Sequence, residues 1–198
     1  SLYLENGNLV GNVSTINKKK ITFETNTDAL SDNLWHHVAF TISTGDITSP
    51  RNPIIHTSDL PDSSFTAKNA IDNDIATSFV HKSNGEGLIV NTQGGIINAI
   101  GITSASNLDN ADPNQFSVFG SRNGGFTFQK IANGEIPKFN FRNERIEIKF
   151  DNQNEFRIYK VILNSTRSNK YHIGEIELID LNRSRGLALY LDGENIYK

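Results

Sequence analysis

The feature of this sequence that most constrains its fold is a two-residue alternation of apolar and polar side chains. In residues 145–150, Ile146, Ile148 and Phe150 alternate with charged residues, and residues 34–42 repeat the pattern. Such alternation indicates β-strands, because successive side chains of a strand point to opposite faces of the sheet. No window of ten or more residues carries an apolar stripe with helical spacing, and only residues 67–72 could form a single helical turn. The sequence therefore predicts an all-β chain, in particular a β-sandwich.

Turn-forming residues divide the chain into short segments. Asn-Gly or Asp-Gly pairs stand at 6–7, 84–85, 123–124, 133–134 and 192–193. The last of these lies between two apolar runs, 187–191 and 194–197, and predicts a hairpin. Two polar stretches, 44–53 and 180–185, have the composition of linkers. We therefore expect an inner domain at residues 46–184, inserted into an outer one formed by residues 1–45 and 185–198.

Composition excludes several classes of protein. The sequence has no cysteine, which excludes disulfides, thiolate zinc sites and cysteine nucleophiles. Its net charge is −3, and its basic residues are scattered apart from Lys18, Lys19 and Lys20, which argues against nucleic-acid binding. No apolar run reaches the ~20 residues of a membrane-spanning helix, and no signal peptide opens the chain. Because the sequence lacks methionine even at position 1, we expect it to be an internal piece of a longer protein.

The outer segments carry one family resemblance. Residues 34–41 (LWHHVAFT) and 187–194 (LALYLDGE) resemble the laminin-G-like, or concanavalin-like, family, in which two such strands follow each other across a tight turn. The resemblance implies that the inner segment replaces this turn and that residues 3–9 form the preceding hairpin of the same sheet. The outer segments are too short for two full sheets. Strands outside this sequence, docking on the inserted domain, or another copy of the chain would have to complete them.

The inner segment carries a second and more specific resemblance. It rests on residues 70–77 (AIDNDIAT), on Asp112-Pro113 leading to 119–124 (FGSRNG), on 156–161 (FRIYKV) and on 173–178 (IGEIEL). These stretches are similar in order and spacing to discoidin-type domains, the fold shared by coagulation-factor C domains and family 32 carbohydrate-binding modules. The implied architecture is a galactose-binding-like jelly-roll β-sandwich, inserted into a hairpin of a partial laminin-G-like sheet. Asn73 stands where glycine is usual, and Phe79 where tryptophan is frequent, which argues against a tryptophan-based sugar platform.

The loop at 72–77 is the candidate metal site. Asp72, Asp74 and Thr77 place carboxylate and hydroxyl oxygens in one tight turn, and Ca²⁺ prefers such hard oxygens mixed with backbone carbonyls. The family resemblance implies that Glu175 closes the site and that the ion is structural. The full predicted set is Asn69, Asp72, Asp74, Thr77 and Glu175. The alternative is that the aspartates are ordinary turn residues that accept hydrogen bonds from local amides.

The resemblance also implies a glycan site on loops at the end of the sandwich nearest the cation. Recognition of sugar hydroxyls needs planar polar groups, together with an aromatic face for the C–H side of the ring. The predicted glycan-binding residues are His81, Asn107, Asn110, Arg142, Arg167, Lys170 and Tyr171. We favour Arg142, which follows Phe139 and Phe141, and expect Tyr171 to be the aromatic platform. A sulfated or uronic ligand would be matched in charge by Arg142, Arg167 and Lys170.

Other chemistry is not supported by the sequence. Adjacent side chains of a strand point apart, so His36 and His37 are expected to be structural rather than metal ligands. No catalytic Gly-x-Ser-x-Gly, His-Glu-x-x-His or phosphate-binding glycine motif is present.

We expect a non-catalytic, extracellular or surface-exposed carbohydrate-binding module with structural Ca²⁺. The alternative is a structural or protein-interaction module of an adhesin or phage surface without sugar binding. Membrane binding ranks last because the loops at 83–85 and 108–110 are polar.

Overall fold

The structure is a computed structural model that describes residues 2–5, 8–14, 20–24, 34–43, 45–57, 66–81, 85–107, 109–168, 170–183, 186–192 and 194–197. The chain forms two compact units, one of Ser1–Ser43 with Arg185–Lys198 and one of Thr44–Ser184. Within the described residues the regular elements are strands and two 3-10 turns, at Ala67–Ala70 and Asp109–Ala111. This confirms the all-β prediction, and the first 3-10 turn lies where the single helical turn was predicted. None of the described helices is long and apolar enough to cross a membrane.

The described strands, in chain order, are β1 (Leu2–Glu5), β2 (Asn8–Ser14), β3 (Lys20–Glu24), β4 (Val38–Ser43), β5 (Ile54–His56), β6 (Phe79–His81), β7 (Gly87–Gly95), β8 (Ala99–Ser104), β9 (Gln115–Ser121), β10 (Gln129–Glu135), β11 (Arg145–Lys149), β12 (Phe156–Asn164), β13 (Tyr171–Ile179), β14 (Gly186–Leu191) and β15 (Glu194–Tyr197).

The larger unit is a sandwich of two antiparallel sheets. One has the strand order β10-β9-β12-β7-β5 and the other β11-β8-β13-β6. Side chains from both sheets, among them Phe79, Ile100, Val118 and Tyr159, form one buried core cluster. Alternation decides which side chains reach it: in β9, Phe116 and Val118 are buried while Ser117 and Phe119 are only partly buried. The two sheets therefore bury one apolar face each against the other.

The two ends of the larger unit meet. Asp46 forms a β-bridge with Ile179, and the Ile47 amide donates to the Leu178 carbonyl at 2.8 Å. Ile47 is buried in the core, and the Asn52 side-chain amide donates to the Asn91 carbonyl at 3.0 Å. The prediction of a linker at 44–53 is therefore wrong, because this polar stretch supplies a packed edge of the sandwich. Adjacent ends are what an inserted domain requires.

The smaller unit contains two three-stranded sheets, β1-β2-β3 and β15-β14-β4. The predicted hairpin of β14 and β15 is confirmed, and β4 pairs with β14 from Val38↔Leu191 to Ser43↔Gly186. β1 and β2 also form a hairpin, but in a different sheet from β4 and β14. The expectation that they share one sheet is wrong, because among the described strands β1 and β2 are joined by β3 and not by β4 or β14. The laminin-G-like assignment of this unit, and what completes its sheets, stay predictions.

The histidine pair lies just before β4 rather than inside it. The strand begins at Val38, and His36 Nδ1 lies 2.7 Å from an Asp192 carboxylate oxygen. The backbone of His37 exchanges two bonds with Asp192: its amide donates to the Asp192 side chain at 2.9 Å, and its carbonyl accepts from the Asp192 amide at 2.9 Å. These contacts fasten the start of β4 to the turn after β14, which agrees with a structural role for the pair.

Candidate functional site

The loop between the first 3-10 turn and β6 is anchored in the core on one side only. Ala67, Ala70 and Ile71 are buried, whereas residues 73–76 are exposed. Asn73 has a φ of 61°, in the left-handed region, which asparagine tolerates better than most non-glycine residues. This conformation explains how asparagine can stand where the discoidin resemblance leads us to expect glycine. The loop therefore turns sharply where the first predicted ligands follow.

Hydrogen bonds within this loop occupy the predicted ligand oxygens locally. One Asp72 carboxylate oxygen accepts from the Asp74 amide at 3.0 Å, and both accept from the Thr77 hydroxyl at 3.1 and 2.9 Å. The Asp74 carboxylate accepts from the Ala76 amide at 2.9 Å. The Asn69 side-chain amide donates to the Ser78 carbonyl at 3.0 Å. The alternative interpretation, turn residues bonded to local groups, thus describes part of this arrangement.

Glu175 reaches the same loop from β13, 101 positions along the chain from Asp74. Its buried carboxylate accepts from the Asp74 amide at 3.0 Å. Burial, followed by the hydrogen bond and negative charge of Asp72, raises the pKa of Glu175 to about 8. The structure therefore brings the carboxyls of Glu175 and Asp72 together, whereas the Asp74 carboxylate is held by its own turn.

The residues of this loop suit a hard cation in their chemistry. Within the described residues no group of three or more His, Cys, Asp or Glu side chains is gathered as a metal-binding set. The buried Glu175 carboxyl nevertheless lies beside the partly buried Asp72 carboxyl, where two negative charges need either a proton or a cation. With the hydroxyl of Thr77 and backbone carbonyls nearby, these are oxygen donors of the type that Ca²⁺ prefers.

Strand register places three loops at one end of the sandwich. Ser104 at the end of β8 pairs with Ile173 near the start of β13, and Thr103 pairs with Arg145 at the start of β11. His81 at the end of β6 pairs with Tyr171. The described residues that follow β8 and those that precede β11 and β13 therefore lie at the same end. We call this region the loop end, and define it by residues 105–107, 109–114, 139–144, 165–168 and 170.

Arg142 is held firmly within the loop end. Its two terminal nitrogens donate to the two Asp112 carboxylate oxygens at 2.8 and 2.6 Å, and Nη1 also donates to the Ala105 carbonyl at 3.4 Å. The side chain of Arg142 is 27% exposed and that of Asp112 is 9% exposed. Two further predicted residues, Asn107 and Asn110, are exposed and lie on the same loop between Ala105 and Asp112. The bidentate pair joins the loop of Arg142 to the loop that carries Asn107 and Asn110, so three of the predicted glycan-binding residues lie on two connected loops.

Arg167 and Lys170 lie on the third loop of the loop end. Both are exposed, and their loop is joined to the first by Asn114, whose side chain exchanges bonds of 2.7 and 3.1 Å with the hydroxyl and amide of Thr166. The backbone amides of Arg167 and Lys170 donate to the hydroxyls of Ser165 and Ser168 at 3.4 and 3.3 Å. Two more predicted cations therefore belong to the same region as Arg142.

Tyr171 and His81 do not belong to that surface. Tyr171 is 0% exposed and its hydroxyl donates to the Glu86 carbonyl at 3.0 Å, while His81 is 3% exposed. Their rings are stacked at 5.6 Å with an interplanar angle of 15°. Burial raises the pKa of the Tyr171 phenol. The prediction that these two residues contact a glycan is wrong, because the pairing of β13 with β6 turns both side chains into the core.

Three residues in or next to the loop end were not among the predicted glycan-binding residues. Asp112 fixes Arg142, although only its place before a proline marked it in the sequence. His172 is buried with its pKa lowered by burial and by the positive charge of Lys170, while Asp112 acts in the opposite direction. Phe141 is 53% exposed beside Arg142, so it offers the aromatic surface that Tyr171 does not. The adjacency of Phe141 and Arg142 in sequence was the available signal.

Comparison with solved structures identifies the fold. No family model matches the chain, and no curated protein matches it. CpGH89CBM32-5 from Clostridium perfringens, in complex with GalNAc-β-1,3-galactose, has a TM-score of 0.58 at 18% identity, covering 68% of this chain and 99% of its own. The family 32 module of C. perfringens NanJ, in complex with galactose, has a TM-score of 0.56 at 19% identity, covering 68% and 97%.

A third similar structure is the F5/8 type C domain of a Bacteroides fragilis protein, with a TM-score of 0.56 at 12% identity, covering 66% of this chain and 91% of its own. At these identities the likeness concerns the fold. The chain therefore contains a β-sandwich with the fold of these discoidin-type and family 32 structures, as the sequence resemblance predicted for the inner segment.

Proposed function

We propose that the larger unit is a non-catalytic carbohydrate-binding module that binds a glycan at the loop end. The observation that carries the proposal is the bidentate pair of Arg142 and Asp112, which stands half-buried among exposed polar side chains. A guanidinium fixed in this way loses little side-chain entropy when it binds a sugar hydroxyl. A module of this kind acts where polysaccharides are, so the proposal includes an extracellular or surface location.

The surrounding residues supply the other contacts that a sugar needs. Asn107 and Asn110 carry amide donors and acceptors, and Phe141 provides apolar surface for the C–H face of a ring. Arg167 and Lys170 add positive charge for an acidic substituent. Two structures of similar fold support a glycan ligand. One is a module from AlyQ in complex with 4,5-unsaturated mannuronic acid, and the other is described as pectin-binding.

The test of glycan binding is a glycan array, followed by affinity electrophoresis with the polysaccharide that contains the best array ligand. We expect Arg142→Ala to weaken binding at least tenfold. Arg51→Ala is the matched control, since Arg51 is exposed outside the loop end. Arg142→Lys keeps the charge but not the bidentate geometry, and should recover only part of the affinity. A negative result for the unmodified chain across diverse neutral and acidic glycans would overturn the proposal in favour of a structural or protein-interaction module.

We further propose a structural Ca²⁺ held by Asp72 and Glu175 with help from Asn69, Asp74 and Thr77. The support is the shared space of the Asp72 and Glu175 carboxyls, whose mutual repulsion a divalent cation would relieve. The ion would connect the loop at 66–78 to β13 and would not take part in any reaction. Its stabilising effect follows from binding the folded chain in preference to the unfolded one.

Melting curves with Ca²⁺ and with a chelator test this second proposal. We expect Ca²⁺ to raise the melting temperature of the unmodified chain by several degrees and Glu175→Gln to abolish the difference. Glu155→Gln is the control, because Glu155 is an exposed glutamate outside the loop. An unmodified chain with the same transition in both buffers would contradict a calcium site while leaving the glycan proposal standing.

A further inference from the structure

A row of basic and apolar side chains crosses the outer face of the five-stranded sheet. Lys130 on β10 pairs with Phe119 on β9, which pairs with Lys160 on β12. Lys160 pairs in turn with Ile89 on β7, and Ile89 with Ile55 on β5, which is 61% exposed. Cross-strand partners project on the same face of a sheet, so these side chains lie side by side. We call them the sheet-face row; it is separate from the loop end.

Aromatic rings hold the two ammonium groups of the row. Lys160 Nζ lies 4.8 Å from the centre of the Phe119 ring and 4.4 Å from that of Phe128, and Lys130 Nζ lies 5.8 Å from Phe119. Cation–π contacts of this kind are favourable by about 0.5–1 kcal/mol at exposed sites. They restrict two long, flexible side chains before any ligand arrives, which lowers the entropic cost of binding an anion.

A shallow depression of about 390 Å³ continues the row along the strands. Its lining includes Ile158, two positions before Lys160, and two arginines, Arg122 and Arg157. Arg122 lies over the Phe156 ring at 5.1 Å and donates to the Asn154 side-chain carbonyl at 2.7 Å, so it too is held in place. The depression therefore adds Arg122 to the two lysines of the sheet-face row.

This surface carries more positive than negative side chains, although the net charge of the whole chain is −3. Glu155 lines the depression, and Glu135 ends β10 on the same face as the row. Among the ion pairs formed by described residues, none involves Lys130, Lys160, Arg122 or Arg157. Lys130, Lys160 and Arg122 therefore outnumber these two acids and are available to an external anion.

We propose that this surface is a second binding site, for an acidic glycan chain that carries carboxylate or sulfate groups. Lys130 and Lys160 stand two strand spacings apart, about 10 Å, which suits regularly spaced charges on an extended chain. The rings of the row are covered by ammonium groups, so they offer no open face for a neutral sugar or a nucleobase to stack upon. This site recognises charge alone, whereas the loop end recognises hydroxyl geometry and offers Arg167 and Lys170 to an acidic substituent.

Affinity electrophoresis of the full chain tests this proposal with polygalacturonate and dextran sulfate as probes, and with neutral dextran and poly(dT) for comparison. We expect retardation by at least one acidic polymer, weakening as salt is added, and none by dextran. The double variant Lys130→Gln/Lys160→Gln should bind at least fivefold more weakly, whereas Lys130→Arg/Lys160→Arg should retain binding. Lys138→Gln/Lys149→Gln is the matched control, since both lysines are exposed away from the row.

Three results would overturn the proposal: no retardation by either acidic polymer, an equal loss in the control double variant, or stronger binding of poly(dT) than of either acidic glycan. The outcome of this test does not depend on whether the loop end binds a glycan. Arg142→Ala should leave retardation by the acidic polymer within twofold of the unmodified chain. Loss of array binding in Arg142→Ala with intact acidic-polymer binding would support both sites, and the reverse pattern would overturn both assignments. Melting curves of each variant show that the fold is retained.

Discussion

Single residues decide which surfaces of the sandwich are open to a ligand. Tyr171 and His172 are neighbours on β13, yet the Tyr171 hydroxyl bonds to the Glu86 carbonyl at 3.0 Å while His172 lies near Asp112 and Lys170. Alternation along the strand puts these two side chains on opposite faces. Tyr171 therefore belongs to the core, and in the proposed glycan site the aromatic surface is that of Phe141.

Tyr171→Phe distinguishes a core role of Tyr171 from a glycan-binding role. The substitution removes one buried hydrogen bond, so we expect the free energy of unfolding to fall by about 1 kcal/mol. Glycan affinity should stay unchanged, because the ring that remains is buried. Urea unfolding and affinity electrophoresis measure the two quantities. A loss of glycan binding at near-normal stability would restore Tyr171 to the binding surface.

Phe141→Ala is the complementary change. The side chain is 53% exposed, so we expect little effect on stability and at least a fivefold loss of affinity for a neutral glycan. Phe126→Ala is the control, since that ring is exposed on a turn between β9 and β10, outside the loop end. Equal effects of the two substitutions on affinity would count against a specific platform at Phe141.

Asp46 gives a pH dependence with a defined sign. Burial, opposed by hydrogen bonds from Thr48, raises its pKa from 3.8 to about 6. The folded chain then holds this proton more tightly than the unfolded chain, so the stability from Asp46 is present below pH 4 and is lost as the pH rises to about 6. Asp46→Asn keeps the acceptor for the Thr48 amide and hydroxyl.

We therefore expect the unmodified chain to lose stability relative to Asp46→Asn between pH 4 and 6, by on the order of 2 kcal/mol. Denaturant unfolding across this pH range measures the difference. Parallel stability curves for the two proteins would show that Asp46 titrates normally in the folded chain.

Some of these residues could be predicted from the sequence and others could not. The left-handed Asn73 was foreseeable, because it replaces glycine in a recognised loop. The burial of Tyr171 depends on its pairing with His81 of β6, which lies 90 positions earlier in the chain. The clamp of Asp112 on Arg142 joins side chains 30 positions apart. Pairings of this kind leave no local pattern, so composition and spacing cannot reveal them.

At the scale of elements, strand identity was predictable and strand surroundings were not. Alternation indicated β4 and β11, and the Asp-Gly turn indicated the hairpin of β14 with β15. Residues 44–53 have the polarity and prolines of a linker, yet Ile47 enters the core and Asn52 bonds to β7. The partner strands satisfy the polar groups of that stretch, and this contact exists only in the folded chain.

Close strand contact makes Gly87 irreplaceable. A Cβ atom at Gly87 would overlap the Val161 backbone carbonyl across the pairing of β7 with β12. We expect Gly87→Ala to destabilise the chain by on the order of 3 kcal/mol, because a backbone atom cannot move aside locally. Gly85→Ala is the control: its surroundings are open and only its φ of 81° is unfavourable, which costs about 1 kcal/mol. Equal losses in thermal or urea unfolding would contradict the packing argument.

At the scale of the whole molecule, the larger unit has what it needs to fold alone. It has its own core, and its ends are joined by the bridge of Asp46 with Ile179 and by the Asp180 amide donating to the Gly45 carbonyl at 2.8 Å. Sequence resemblance identified the sandwich from four short stretches. It did not settle the smaller unit, whose two three-stranded sheets differ from the single sheet that was predicted.

A fragment of residues 44–184 should therefore unfold in one cooperative transition and bind the same glycan as the full chain within twofold. Calorimetry and affinity electrophoresis of the fragment beside the full chain measure both properties. A fragment that is soluble but unfolded would mean that residues outside the larger unit contribute to its stability.

The most direct test of the central claim is to map the bound sugar by backbone-amide NMR, using the strongest neutral ligand from the glycan array. We predict that shifts on titration concentrate in residues 105–112, 140–144 and 165–170, around Arg142, and leave the sheet-face row unchanged. Shifts confined to other surfaces would contradict the assignment of this sandwich as a glycan-binding module that reads its ligand at the loop end.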